Sequence, residues 1–171
     1  AFLRRETLRK LVGLLRSLSP DVLQTWMHHA DFVGGFCARA AGLKKVVWGI
    51  HCREIHTNPG DTELKKLVFK SLLGVASRWV PARVISCSAA AMKDHLPMGY
   101  PEARMRWVPN GIETSRFVPD PEARAAARHE WHVPAEAPLV GYVGRFHEMK
   151  DLATWLRAAA ILQMRQPETH F

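Results

Sequence analysis

The sequence predicts an α/β protein built on parallel sheets, and two observations carry that prediction. Short apolar runs alternate with amphipathic segments of helical period along the chain. Late in the chain, the apolar run Leu139-Val140-Gly141-Tyr142-Val143 ends at once in Gly144 and leads into a helix, as a parallel strand feeding a crossover does.

The elements follow in order. Residues Phe2 to Leu18 read as a basic amphipathic helix: Leu3, Leu8, Leu11, Val12, Leu15 and Leu18 make an apolar face opposite Arg4, Arg5, Arg9, Lys10 and Arg16. Ser19-Pro20-Asp21 breaks it, and Val22 to Trp26 reads as a strand. Asp31 to Ala41 is a helix of small residues, with Gly34, Gly35 and Ala38 permitting close packing and Gly42 as its cap. Lys45 to Ile50 is a second strand, followed by a polar loop from His51 to Gly60. Leu64 to Val80 forms a long amphipathic helix stopped by Pro81. Arg83 to Cys87 is a third strand. Ser88 stands where an N-cap belongs, ahead of a short helix from Ala89 to Leu96. Met105 to Val108 is a fourth strand, ending at Pro109-Asn110-Gly111, a turn signal. Phe117-Val118-Pro119-Asp120-Pro121 marks a domain boundary, after which come a charged helix from Glu122 to Trp131 and the strand at Leu139. The last helix carries Leu152, Trp155, Leu156, Ala159 and Leu162 at three- and four-residue steps and is expected to end by Pro167.

Composition narrows the partners. The 171 residues carry a net charge of +8, with 47% hydrophobic and 23% charged residues, an ordinary globular balance with a basic excess. Nucleic acid, an anionic membrane surface and phosphorylated substrates all suit that excess. The cations are spread over several helices and not gathered on one recognition helix, which argues against nucleic acid. Cys37, Cys52 and Cys87 are odd in number and scattered, as expected of reduced cytosolic thiols. No apolar run is long enough to cross a bilayer, and no signal-peptide pattern opens the chain. The chain starts without Met and stops at His170-Phe171, where a further strand is expected, so a fragment is anticipated.

The stretch with the most chemistry is Val143-Gly144-Arg145-Phe146-His147-Glu148-Met149-Lys150-Asp151. It reads as a strand end, a turn bearing a guanidinium, then a helix start bearing an ammonium. Two cations near a helix N-terminus suit a phosphate or diphosphate, and in open α/β sheets ligands gather at the carboxyl ends of strands. The alternative is that both are solvated surface charges. The basic face of the first helix is likewise open between a solvated face and contact with anionic lipid head groups.

With these elements in place, the sequence resembles glycosyltransferase family 4, the retaining enzymes of the two-domain GT-B fold. Val108-Pro109-Asn110-Gly111-Ile112-Glu113-Thr114-Ser115-Arg116-Phe117-Val118-Pro119 is similar to the family's linker, and the Gly144-Arg145…Lys150 stretch to its donor-diphosphate motif. Arg83 to Ser88, Thr25 to Asp31 and Val46 to His51 resemble the strands before the linker, in the branch that builds bacterial surface polysaccharides. The family's glycine-rich loop and its later Glu…Glu motif have no counterpart here. The resemblance implies two incomplete Rossmann-like domains: residues 1–119 from the acceptor-binding domain and residues 120–171 from the start of the nucleotide-sugar-binding domain.

It also implies roles. Arg145 and Lys150 would stabilise the departing diphosphate, and Gly144 would let the backbone approach it, with no metal and no separate cofactor. His51 would hydrogen-bond the sugar or the acceptor, or else have a local partner. His28 or His29 would line the acceptor cleft or cap the helix at Asp31. Asn110 and Gly111 would lie beside the cleft as well as making a turn, and Ser88 would cap its helix or touch ligand. His28, His29, His51, Cys52 and His56 lack the spacing of a metal site. The expected partners are a nucleotide-sugar donor, a glycan or lipid-linked acceptor and an anionic membrane surface, in the cytoplasm or on the inner face of the plasma membrane. A nucleotide-sugar 2-epimerase of the same architecture and an inactive fragment are the competing readings. The apolar residues Leu139, Val140, Val143, Trp155 and Leu156 predict exposed apolar surface after Asp120.

Overall fold

The computed structural model describes residues 4–55 and 61–171. They divide into two compact units, Ala1–Ile112 and Glu113–Phe171, the division falling inside the 108–119 motif. The start of the first predicted helix (residues 1–3) and the second half of the polar loop (residues 56–60, including His56) lie outside the described residues.

The first unit runs α1 (Arg5–Leu18), β1 (Leu23–Gln24), α2 (His28–Ala40), β2 (Val46–Ile50), α3 (Glu63–Ala76), β3 (Arg83–Ser86), α4 (Ala89–His95) and β4 (Met105–Trp107). Its four strands are all parallel and stand in sequence order, β1-β2-β3-β4. Each crossover steps the same way, which sets α2 and α3 side by side on one face, with α1 packed on α2. Val46, Trp48, Ile50, Val84 and Ser86 are buried, whereas the alternate residues Val47 and Ile85 are only half-buried. That alternation reflects a sheet covered by helices on one face.

The sequence explains how the helices sit so close. A Cβ on Gly35 would come 2.6 Å from the Trp48 indole nitrogen and 2.8 Å from Val80, and one on Gly34 would come 2.8 Å from Thr25. Gly42 (φ +94°) closes α2: Leu43 N–H reaches Ala38 O at 2.9 Å and Gly42 N–H reaches Arg39 O at 3.0 Å, the paired bonds of a Schellman motif.

Several boundaries differ from expectation, each for a local reason. β1 keeps only two ladder residues, although Thr25 and Met27 still donate to Val47 O and Gly49 O at 2.9 and 3.0 Å. α2 begins at His28, ahead of Asp31, because the Asp31 carboxyl turns into the core and does not cap the helix. α3 stops at Ala76: Ser77 Oγ donates to Gly74 O at 2.7 Å, and Pro81 disfavours helix at the residue before it. Asn110-Gly111 makes no turn. Gly111 is not among the glycines with positive φ, and the first turn past β4 is instead closed by Arg116 N–H on Glu113 O at 3.0 Å.

The second unit holds α5 (Pro121–Glu130) and α6 (Leu152–Arg165), with a 3-10 turn at Glu148–Lys150. Asp120 caps α5 by accepting from Ala123 N–H at 2.9 Å, with Pro121 at the first helical position. The strand expected at Leu139–Val143 is reduced to one parallel bridge, Leu139 to His170, made by Val140 N–H on His170 O and His170 N–H on Pro138 O. A strand requires a neighbour to bond to, and among the described residues only those around His170 supply one. Tyr142, Trp155 and Phe171 form the aromatic cluster of this unit, at centroid spacings of 5.5 and 6.0 Å. Of the five apolar residues expected to be exposed here, Val140, Val143 and Leu156 are, whereas Leu139 and Trp155 are half-buried.

The tightest backbone approach lies between α3 and the 3-10 turn Leu96–Met98, where a Cβ on Gly74 would overlap the Met98 carbonyl. Gly74→Ala is therefore expected to destabilise the fold by about 1–3 kcal/mol, the usual range for overpacking. Urea denaturation of the full-length variant checks it, and an unchanged midpoint would contradict it.

Candidate active site

The carboxyl ends of β1, β2 and β3 carry the chemistry-bearing residues of the first unit. A buried carboxyl organises them. Asp31 is fully buried at the start of α2, and its Oδ1 accepts from Thr25 Oγ1 at 2.6 Å and from Gly49 N–H at 3.2 Å. Thr25 directly follows β1 and Gly49 lies near the end of β2, so one side chain ties both strands to the helix. Burial raises its pKa from 3.8 to about 7, against the opposing pull of the Thr25 and Gly49 hydrogen bonds. Gly49 is required here, since a Cβ would sit 2.6 Å from Thr25 O.

The turn between β1 and α2 is strained. Met27 has φ +75° and ψ 149°, a region that side chains other than glycine rarely adopt. Such strain is held only where surrounding structure over-determines it, and here Met27 N–H is fixed on Gly49 O while Asp31 N–H bonds Met27 O at 2.8 Å. The strain presents Trp26, half exposed, at the strand end. Its ring lies 4.3 Å from that of His51, tilted by 41°. His51 follows β2 directly and is half-buried, so its imidazole sits at the rim of the sheet with one flank on an indole.

His28 is placed differently from the cleft-lining position the sequence suggests. Its ring is buried, stacked on His95 with Nε2 to Nε2 at 2.8 Å, and its Nδ1 is 3.8 Å from Cys52 Sγ. His95 Nδ1 is 2.7 Å from Ala91 O. A carbonyl only accepts, so His95 Nδ1 carries the proton and His95 Nε2 is the acceptor. His28 Nε2–H then donates to it, and His28 Nδ1 is left to accept from the Cys52 thiol. Burial lowers the His95 pKa, in keeping with a neutral ring, and burial raises that of Cys52, helped by the nearby Cys87 and Asp31. The chain Cys52–His28–His95–Ala91 thus supports the loop after His51 from beneath. The Arg53–Asp94 ion pair, at 2.5 Å, fastens the same loop to α4 from outside. His29 stacks on Phe69 at 4.8 Å.

Ser88 caps α4, its Oγ accepting from Ala91 N–H at 3.4 Å, while its carbonyl accepts from Ser86 Oγ at 2.8 Å. Asn110 and Gly111 are exposed, outside regular secondary structure, after β4. His51, Cys52, Cys87 and Ser88 thus meet at the ends of adjacent strands, where Cys87 N–H bonds Ile50 O at 3.2 Å. Asp31 and His95 are the contributors that sequence reading did not single out. The signal for Asp31 was available, as a carboxylate among the glycines and alanines of a buried helix.

In the second unit, Gly144, Arg145 and Lys150 are exposed, and neither cation is ion-paired among the described residues. Lys150 closes the 3-10 turn and does not open α6. Asp151 (φ +45°) caps that helix, accepting from Thr154 N–H at 3.3 Å, and His147 Nδ1 accepts from Met149 N–H at 3.2 Å. The first helical amides therefore face an acidic cap. An open depression of about 760 Å³ lies beside this turn, lined by Phe146, His147, Glu148, Asp151, Leu152 and Ala153. A Cβ on Gly144 would come 2.9 Å from the Tyr142 hydroxyl, so the tyrosine ring lies close over the turn. Among the described residues, no helix is long and apolar enough to cross a membrane.

The family model described as Glycosyltransferase Family 4 matches residues 2–116, more than half of the chain. The chain belongs to glycosyltransferase family 4. It is 27% identical over 168 residues to a GDP-mannose-dependent α-(1-6)-phosphatidylinositol monomannoside mannosyltransferase of Mycolicibacterium smegmatis, covering 95% of this chain and 40% of that protein. It is 32% identical over 108 residues to a D-inositol 3-phosphate glycosyltransferase of Thermobispora bispora, covering 63% and 24%. Among solved structures, Anabaena HepE in complex with UDP superposes with a TM-score of 0.69 at 19% identity, covering 91% of this chain and 40% of that one. HepE in complex with UDP-glucose gives 0.69 at 20% identity, covering 90% and 40%. The fold is accordingly that of the GT-B glycosyltransferases, and the chain spans about two fifths of the length of the first of these relatives and of the HepE chain.

The Asp31 carboxyl sets a pH dependence with a defined sign. Its folded pKa lies above the ordinary 3.8, so the folded state holds the proton more tightly. The stability this provides is full below about pH 4 and is lost as pH rises through about 7. His95 acts oppositely, since its lowered pKa costs stability as pH falls below its ordinary 6.5. Comparing the protein with Asp31→Asn at each pH isolates the first effect. The native protein is expected to lose stability relative to the variant between about pH 4 and 7, at no more than about 1.4 kcal/mol per pH unit. Urea melts across that range check this, and a constant difference would contradict it.

Proposed function

We propose that the protein transfers a sugar from a nucleotide-diphosphate donor to a glycan or lipid-linked acceptor, with retention of anomeric configuration, in the assembly of cell-surface polysaccharide. Residues 1–119 would belong to the acceptor-binding domain and residues 120–171 to the donor domain. The observation that carries this reading is the Gly144-Arg145…Lys150 turn, with two cations that have no acidic partner among the described residues, in a chain whose first two thirds match the family.

The chemistry follows from where charge develops. As the glycosidic bond to the diphosphate lengthens, the anomeric carbon becomes oxocarbenium-like and negative charge grows on the leaving oxygen. Arg145 and Lys150 would stabilise that charge, and no metal is called for where two fixed cations do so. The departing phosphate would accept the acceptor proton, which fits retention and leaves no general base to find. His51, held at the rim by Trp26 and by the buried chain beneath Cys52, would hydrogen-bond the sugar or the acceptor hydroxyl. Asn110 and Ser88, at neighbouring strand ends, would lie beside the acceptor.

The relatives support the donor and acceptor classes. One bears a GDP-mannose-dependent name and acts on a phosphatidylinositol mannoside, and HepE was solved with UDP-glucose. A lipid-linked acceptor also suits the +8 charge, which would place the protein in the cytoplasm at the inner face of the plasma membrane.

Calorimetric titration of nucleotide diphosphates and their sugars into the full-length protein tests the donor assignment. Arg145→Ala and Lys150→Ala are each expected to abolish measurable binding without metal and to lower turnover by about 10²–10³, on the order of 2–4 kcal/mol in the barrier. Tight binding unchanged in both variants would show that the turn is structural.

A further inference from the structure

A second set of cations gathers at the opposite end of the first unit's sheet. At the amino ends of β2, β3 and β4, an open cavity of about 340 Å³ is lined by Arg39, Lys44, Arg83 and Arg104, with Trp79 and the residues 80–82 turn completing it. No carboxylate lines it, and none of the four cations is ion-paired among the described residues. Each guanidinium commits a donor to a main-chain carbonyl: Arg39 to Lys44 O at 3.4 Å, Arg83 to Ala82 O at 2.8 Å, and Arg104 to Pro81 O at 2.8 Å. These bonds hold the head groups near one another, and a guanidinium has five donors, so several remain for a ligand. Like charges held together around a cavity are stabilised by an anion, and phosphate is the anion that arginines bind in a forked geometry.

Trp79 also ends a second feature. Leu64, Leu67, Val68, Leu72, Val75 and Trp79 recur at helical spacing along α3 and its exit, and they are 70, 61, 49, 49, 59 and 52% exposed. The opposite side of α3 is buried through Leu73 and Ala76. The helix therefore has an inner and an outer apolar face. Lys65 and Lys70 flank the outer one, and the only acid on the helix, Glu63, is paired to Lys66 at 2.7 Å. An apolar stripe rimmed by cations and running through an exposed tryptophan into a cationic cavity has the layering of a membrane interface: acyl boundary, indole belt, phosphate.

We propose that this face docks on an anionic bilayer, with the α3 stripe in the acyl boundary and a phospholipid phosphate in the Arg39–Lys44–Arg83–Arg104 cavity. A second copy of the chain fits poorly, because it would bring another +8 charge against the same cations. Nucleic acid would use the cavity but leave the leucines and valines without a role. The inference stands apart from the donor site, and it places the contact on α3 and not on the basic face of α1.

Sedimentation of the full-length protein with vesicles tests it. Vesicles of phosphatidylcholine with phosphatidylglycerol are expected to carry the protein down, and pure phosphatidylcholine to bind at least tenfold more weakly. Arg39→Ala/Arg83→Ala should weaken binding at least tenfold, and Leu67→Glu/Val75→Glu should abolish it, with circular dichroism confirming that both variants are folded. Absence of binding, equal binding to both vesicles, or binding untouched by either variant would overturn the proposal. So would loss of binding in Arg5→Glu/Arg9→Glu with the α3 variant unaffected, which moves the contact to α1. Tight binding of an RNA homopolymer that is lost in the arginine variant, with vesicles ignored, would reassign the cavity to nucleic acid.

Discussion

The bond set of Asp31 is what the carboxyl end of the first unit's sheet depends on. One carboxyl oxygen receives both the Thr25 hydroxyl and the Gly49 amide, from two different strands, while its backbone starts a helix. Removing it would leave the buried Gly49 amide without this acceptor, a cost of about 1–3 kcal/mol, and would leave the Thr25 hydroxyl only the longer bond to Val47 O at 3.3 Å. It would also free the Met27 turn from the frame that keeps its strained dihedrals. Everything at the rim is spaced by that frame: Trp26 is next to Met27, and His51 is two residues past Gly49.

Much of this was legible in the sequence, because the determinants are local. Alternating apolar runs and amphipathic segments gave the order of elements, Gly42 gave a helix end, and Ser88 gave a helix start. What was not legible depends on neighbours. The Leu139–Val143 run has the composition of a strand, but a strand is a pairing, and its only partner among the described residues is the chain near His170. Asn110-Gly111 has the composition of a turn, but it follows a parallel strand that needs no immediate return. The burial of His28 could not be read from its place next to His29. It follows from His95, sixty-seven positions away, meeting it across the core.

The two ends of the first unit's sheet differ in kind. At the carboxyl ends, polar groups are few, tightly partnered and partly buried, which suits selection of a particular substrate geometry. At the amino ends, Arg39, Lys44 and Arg83 are exposed and Arg104 is half-buried, and the three guanidiniums bond main-chain carbonyls, which suits a ligand recognised by charge. The parallel arrangement makes the separation possible, since every strand presents the same end to the same side.

The glycine at position 74 has a mechanical meaning. At Gly74 the backbone of α3 meets the Met98 carbonyl with no side chain between them to compress or rotate. That turn begins at the residue after His95, whose ring holds His28 and, through it, Cys52 beside His51. The outer side of α3 is thereby joined to the rim of the sheet through one backbone contact and a short run of side-chain hydrogen bonds.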